Sequence, residues 1–292
     1  LYDDPTPKFQ QYKPDMVLLT NLEFDHPDMY SSLEEIAAEF EEMINNMPQD
    51  GVVVYNSDNP ELVKIMHKNN LGQISFGIDH PANFVGSNII TEQTQTIFDV
   101  TYKDKVEQYQ INVFGKINVY NNLGAIALLR TLGFSQEQVQ EGLFSYHGIK
   151  RRFEFMGEKN GVKVFDDYAH HPTAIRETLA VAKLRFPNAR IWAVFEPHTY
   201  SRTMATLSEL TKAFVDSDKV LLAEIYPARE QKQASSITGQ EVVTEIAKQH
   251  ADVRLVEDKN EAKTILQKEL QPGDVVIVMA VGDFNQLAKE LL

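Results

Sequence analysis

Along the 292-residue chain the spacing of hydrophobic and polar positions changes character near the middle. Residues 15–21, DMVLLTN, form a short apolar run that ends in polar residues, the signature of a buried parallel strand. Residues 31–48 repeat apolar positions at helical spacing. Leu33, Ile36, Phe40 and Ile44 fall on one face, and Ser32 and Glu35 have capping-box spacing. Residues 51–58 read as a strand with a turn. From 84 to 114 the residues alternate and are rich in Ile, Val, Thr and Phe, which predicts antiparallel strands. Two helices follow, over 118–133, where Gly133 stops the first, and over 135–146.

Beyond residue 151 the rhythm becomes strand, helix, strand. Residues 153–167 predict a hairpin with a Lys-Asn-Gly turn. Strands are predicted near 191–195, 218–223, 252–256 and 274–280. Helices are predicted near 172–185, 203–215, 239–249, 259–269 and 284–292. This is an α/β chain of two domains, with the boundary placed at 148–151. Residues 1–149 carry a mixed sheet, and 150–292 carry a largely parallel, Rossmann-like sheet.

Composition narrows the function classes. A hydrophobic fraction of 43% over this length buries roughly three quarters of the unfolded surface. Lys and Arg number 28 against 42 Asp and Glu, a net charge of −14. The basic cluster KRR at 150–152 is too small to make a nucleic-acid face. Anionic small ligands are then met locally, by a few arginines, helix N-termini or a divalent cation. There is no cysteine, which removes disulfides and thiolate chemistry and suits the cytoplasm. No apolar run reaches the ~18 residues of a membrane span.

Five strand exits carry unusual polar groups: TNLEFDH, DDYAHH, EPHTYSR, EIYPARE and VGDFN. Open α/β sheets bind ligands beyond the carboxyl ends of their strands, so five such exits predict a shared cleft. Each also has an ordinary reading. Asp25-His26-Pro27 can be a plain Asx turn. Asp167, His170 and His171 can cap a helix with Pro172 at its first position. His198 and Arg202 are one helical turn apart. Asn118 and Asn121 bracket a helix start. Arg151 and Arg152 can be paired surface charges.

In combination these strings resemble the Mur ligase family. LTNLEFDHPDMY is similar to its central-domain signature, and GKINVYNNLGAIAL to a helix of that domain, with Ile117 where the family has His. GIKRRFE, DDYAHHPTAI, FEPHTYSRT, EIYPARE and VGDFN are similar to its C-terminal domain. The resemblance implies a central ATPase-type domain at 1–149 and an amino-acid-binding domain at 150–292. It also implies ATP and Mg²⁺ as cofactors, and UDP-N-acetylmuramate and L-alanine as substrates joined through an acyl phosphate. A recycling relative of similar build takes a tripeptide instead, and DDPTPKFQQYKPD resembles that relative too.

The residue roles follow from the same resemblance. His26 and Glu23 contribute to the metal site, with Asp25 close by. Asn118 and Asn121 touch the nucleotide. Arg152 reaches ATP phosphate, and Asp167 bonds the ribose or orients its loop. His170 faces the reacting centre, and His171 is structural. His198 and Arg202 stand by the amino acid, with Glu224 and Arg229 in the same pocket. Residues 147–151, with Gly148, form the hinge by which the two domains close. One departure is plain: no G-x-x-x-x-G-K-[ST] phosphate loop occurs, and Gly115-Lys116 is followed by Ile117. With Leu1 as its first residue, the chain reads as lacking an N-terminal domain and as unable to turn over alone. Two readings from other classes are a metal-dependent hydrolase using Asp166, Asp167, His170 and His198, and a non-catalytic binding module.

Overall fold

A computed structural model describes residues 6–27, 29–92 and 94–292. It divides into two compact units, 1–147 and 148–292. Each has its own sheet and its own pair of apolar cores.

In the first unit the sheet runs β1-β2-β3-β4-β5-β6. The strands are β1 (Met16–Leu19), β2 (Val52–Asn56), β3 (Gly72–Gly77), β4 (Phe84–Thr91), β5 (Thr96–Tyr102) and β6 (Lys105–Ile111). The first four are parallel neighbours and the last three an antiparallel meander. Helices α1 (Leu33–Asn45) and α2 (Pro60–His67) cover one face, where Ile44, Val53, Leu62 and Met66 are buried. On the other face lie α3 (Lys116–Thr131) and α4 (Gln136–Ser145), over Phe76, Phe84, Phe98 and Tyr109. Helix α3 ends as its sequence predicts. Gly133 takes φ +91°, and the N–H groups of Gly133 and Phe134 close back on the carbonyls of Arg130 and Leu129. This is a Schellman ending, which a Cβ at Gly133 would strain.

Helix α1 corrects one expectation. Ser32 Oγ does accept from the Glu35 N–H, at 3.4 Å, but the Glu35 carboxylate turns to Ser31 N and Oγ instead of the Ser32 N–H. The reciprocal capping box is complete at α4, between Ser135 and Gln138.

The second unit's sheet runs β11-β10-β9-β12-β8-β7. Its strands are β7 (Glu154–Lys159), β8 (Val162–Asp167), β9 (Ile191–Phe195), β10 (Lys219–Ala223), β11 (Val253–Val256) and β12 (Val275–Met279). All but β7 are parallel. The hairpin turn falls at Asn160 (φ 53°) and Gly161 (φ 78°), the left-handed pair of a type I′ turn. Helices α5 (Pro172–Arg185), α6 (Tyr200–Ala205), α7 (Leu207–Leu210) and α8 (Gly239–Ile246) return the chain along one face. Helices α9 (Lys259–Glu269) and α10 (Leu287–Glu290) lie on the other. Residues 203–215, predicted as one helix, are instead two short ones that break at Thr206, where φ is −105° and ψ 8°. Among the described residues no helix is long and apolar enough to cross a membrane.

Candidate functional site

The parallel strands of the second unit all end at one edge of the sheet, and their last residues are level. Met279 of β12 pairs with Asp167 of β8 on one side and with Phe195 of β9 on the other. The exits after β10, β9, β12 and β8 are therefore direct neighbours. They are also tied to one another. Tyr226 N donates to Pro197 O and Thr199 N to Tyr226 O, both at 2.8 Å, which continues the β9–β10 pairing as far as His198. Glu196 N donates to Met279 O at 3.0 Å, and Ala280 N to Asp167 O at 3.3 Å.

His198 and His170 meet on this rim. Their ring centroids are 5.8 Å apart, and His198 is as close to the ring of Tyr226. Nδ1 of His198 is 2.7 Å from Nη1 of Arg202, and Nδ1 of His170 is 2.9 Å from the carbonyl oxygen of Tyr168. Arg202 itself is 5% exposed, so it braces the loop from beneath. His171 is the N-cap of α5: its Nδ1 accepts from Thr173 N at 3.4 Å, and Pro172 takes the first helical position.

Asp167 is buried at the end of β8. Its carboxylate accepts from Phe153 N (2.7 Å), Ala169 N (2.6 Å) and Thr178 Oγ1 (3.2 Å). Burial nonetheless pushes its pKa up, against those bonds and the Arg152 charge. These bonds tie the carboxylate to the backbone at Phe153 and Ala169. Arg152 is exposed and lies 5.6 Å from the Tyr168 ring. Its neighbour Arg151 is the more integrated, and it corrects the reading of Arg151 as a surface charge. Nη1 and Nη2 of Arg151 donate to the carbonyls of Val281 and Ala280, and Nε lies 3.4 Å from Asp166.

Sequence reasoning passed over two carboxylates here. Glu230 accepts from the N–H groups of Tyr200 (2.6 Å) and Ser201 (3.1 Å) and from the Ser201 hydroxyl, so it caps α6 from the β10 exit. Glu196 is buried directly after β9, and burial raises its pKa to about 7. Of the neighbours that were singled out, Glu224 is spent on the start of α8, with Oε2 3.3 Å from Gly239 N, and Arg229 is exposed.

In the first unit the exit of β1 carries its own polar residues. His26 is exposed with φ 56°, its N–H donates to Asp25 Oδ1 at 2.7 Å, and its Nε2 is 3.9 Å from Asp25 Oδ2. Glu23 Oε1 accepts from Asn21 at 3.3 Å. Among the described residues no group of three or more His, Asp or Glu side chains is placed to hold a metal ion by itself. Magnesium takes hard oxygen donors and few protein groups. The carboxylates of Glu23 and Asp25 fit that preference, and the imidazole of His26 does not. Asn118 is half-buried and donates to Phe114 O, just before its helix, while Asn121 is exposed one turn further along α3. The start of α3 is pinned by Asp58, which accepts from Ile78 N (2.6 Å), Asp79 N (2.9 Å), His80 Nδ1 (2.9 Å) and Tyr120 Oη (2.7 Å).

Two family models divide the chain as the two units do. The Mur ligase middle domain matches residues 6–129, and the Mur ligase glutamate ligase domain matches 151–282. The chain belongs to the Mur ligase family. This Mur ligase chain is 34% identical over 285 residues to a UDP-N-acetylmuramate–L-alanine ligase of Desulfitobacterium hafniense, covering 97% of itself and 63% of that relative. It is 36% identical over 278 residues to the same-named protein of Salinibacter ruber, covering 94% and 58%. The chain thus spans just under two thirds of the length of these curated relatives. Among solved structures, the UDP-N-acetylmuramate-alanine ligase of Thermotoga maritima superposes with a TM-score of 0.79 at 23% identity, over 99% of this chain and 61% of that one. A murein peptide ligase of Psychrobacter arcticus gives 0.68 at 27%, over 97% and 58%. The mixed and parallel sheets are the two α/β domains of this fold.

Proposed function

We propose that this chain is the catalytic part of an ATP-dependent ligase that joins L-alanine to UDP-N-acetylmuramate in peptidoglycan synthesis, in the cytoplasm. The observation that carries this reading is the similarity of almost the whole chain to curated relatives of that activity, at 33–36% identity. The four adjacent strand exits, with their polar side chains, support it. Carboxylate activation brings two anions together, the sugar's lactyl carboxylate and the γ-phosphate of ATP, so local positive charge is needed. Arg152 is exposed on the second unit and suits a phosphate. Asn118 and Asn121 suit a nucleotide on the first, where Glu23 and Asp25 would hold Mg²⁺ beside its phosphates. That ion would supply charge screening of the phosphoryl group. His170 and His198 would stand by the amino acid, with Arg202 beneath them.

The test is ADP formation from ATP that requires both UDP-N-acetylmuramate and L-alanine, measured on the full-length product of the gene that encodes residues 1–292. Dependence on neither sinks the reading. Residues 1–292 contain no phosphate loop, so this segment alone should neither turn over nor bind ATP at micromolar concentration in a calorimetric titration.

A second reading has one observation in its favour: the 27% identity to a murein peptide ligase, above the 23% to the alanine ligase structure. It predicts that a tripeptide replaces L-alanine in the same assay.

A further inference from the structure

Each sheet has two edge strands, and three of the four edges are blunted in place. Strands β1 and β11 are only four residues long, and β7 shifts register between Phe155 and Gly157. Short strands and bulges keep an edge from pairing with another chain. Strand β6 has neither device. It pairs with β5 over seven consecutive residues without a shift, and its sequence KVEQYQI holds no proline, no glycine and a single lysine. Its edge is closed from outside, by α4. The side-chain amide of Gln140 takes both backbone groups of Gln110: Oε1 accepts from the N–H at 2.9 Å, and Nε2 donates to the carbonyl at 3.0 Å. One helical turn earlier, Gln136 Nε2 donates to Gln108 O at 3.1 Å. One turn later, the Phe144 carbonyl accepts from the Asn112 side chain. The two spacings are commensurate. Four residues of helix rise about 6 Å and two of strand about 7 Å, so positions 136, 140 and 144 stay in step with 108, 110 and 112.

We propose that α4 stands in for a seventh strand, and that the β6 edge beneath it is a pairing surface for a second copy of this chain. The buried residues of α4 are Val139 and Leu143, so its attachment is slight and it opens before the sheet does. Opening frees the N–H and carbonyl of Gln110 and the carbonyl of Gln108. Backbone groups alternate along an antiparallel strand, so these point away from β5. Two such edges fit together antiparallel with Gln108 facing its own copy. Glu107 then faces Tyr109, Val106 faces Gln110 and Lys105 faces Ile111, and no like charges are opposed. Val106, beyond the reach of the glutamine ladder, is 66% exposed and adds an apolar contact to that register.

Hydrogen exchange and sedimentation on residues 1–292 test this without any turnover. In the wild type the Gln110 amide should exchange in step with the Leu143 amide of α4, and faster than the amides of Tyr109 and Ile111, which alternate toward β5. The double variant Gln136→Ala, Gln140→Ala keeps Val139 and Leu143 and does not weaken the helix, since alanine is the best helix former. Its Gln110 amide should exchange at least about tenfold faster, with Tyr109 and Ile111 unchanged. It should also dimerise at least about tenfold more tightly than the wild type. Adding Gln108→Lys sets two lysines face to face and should return the dimer constant to the wild-type value. A wild-type Gln110 amide that exchanges together with Tyr109 and Ile111 overturns the proposal even if neither variant folds. So does a freed Gln110 with no gain in dimerisation. A dimer indifferent to Gln108→Lys overturns it too, because that contact lies on another surface.

Discussion

Oε2 of Glu196 lies 3.2 Å from the point where a Cβ would stand on Gly282, and the ring of Tyr226 lies 3.3 Å from the same point. The carboxyl is 8% exposed. Burial, helped by Asp283 and opposed by the Gly282 N–H, raises its pKa from 4.5 to about 7. The native state then holds more protons than the unfolded chain between those values. Stability is therefore lost as pH rises through that window. Glu196→Gln should flatten this part of the profile and raise stability at about pH 8 by at most about 3 kcal/mol. Calorimetric unfolding from about pH 5 to about pH 8 reads both effects. A variant whose pH profile matches the wild type would show that Glu196 is ionised throughout.

Asp274 anchors the opposite edge of the same sheet. It is 4% exposed and accepts from Arg190 Nε (3.0 Å) and Nη2 (2.6 Å), Trp192 Nε1 (3.2 Å) and Gln271 N (2.9 Å). Asp274→Ala leaves the buried Trp192 Nε1–H and the half-buried Arg190 guanidinium without this acceptor and should cost about 1–3 kcal/mol. Urea unfolding followed by the fluorescence of Trp192, the single tryptophan, measures it.

Gly124 sits inside α3 where helix propensity favours alanine by about 1 kcal/mol. A Cβ there would come within 2.8 Å of Leu18 and 2.9 Å of Phe76. Overpacking of that kind costs about 1–3 kcal/mol, so Gly124→Ala should be net destabilising. A raised unfolding temperature would mean that the helix shifts more easily than this packing implies.

Glu230→Ala removes the acceptor for two N–H groups at the start of α6. The expected loss is about 1–2 kcal/mol. Its mark is local: faster hydrogen exchange at Tyr200 and Ser201, next to His198, with the amides of β9 unchanged.

The chain order of elements was legible wherever apolar residues ran at a clear period. Strand β9 at 191–195 and helices α5 and α9 fall on the residues their patterns mark. Helix α2 and strand β3 were missed, although Asn59 and Pro60 are an ordinary cap and first-turn pair. GQISFG is too short and too rich in glycine to show a strand period. The break at Thr206 is illegible for another reason. There the Thr206 hydroxyl donates back to Arg202 O, which leaves no periodic trace. At the site, sequence chose Arg152 over Arg151 and Arg229 over Glu230. The carbonyl partners of Arg151 lie about 130 positions away and the partners of Glu230 about 30, so only the folded sheet brings them together.

A parallel sheet with β9 between β10 and β12 has an evolutionary corollary. Whatever sits after β9 is bordered left and right by the exits of β10 and β12, each of which sends a residue into the interior, Ile225 and Ala280, and leaves polar ones outside. Such a lineage can remodel this rim by exchanging the exposed turn residues one at a time, while the strands beneath are left as they were.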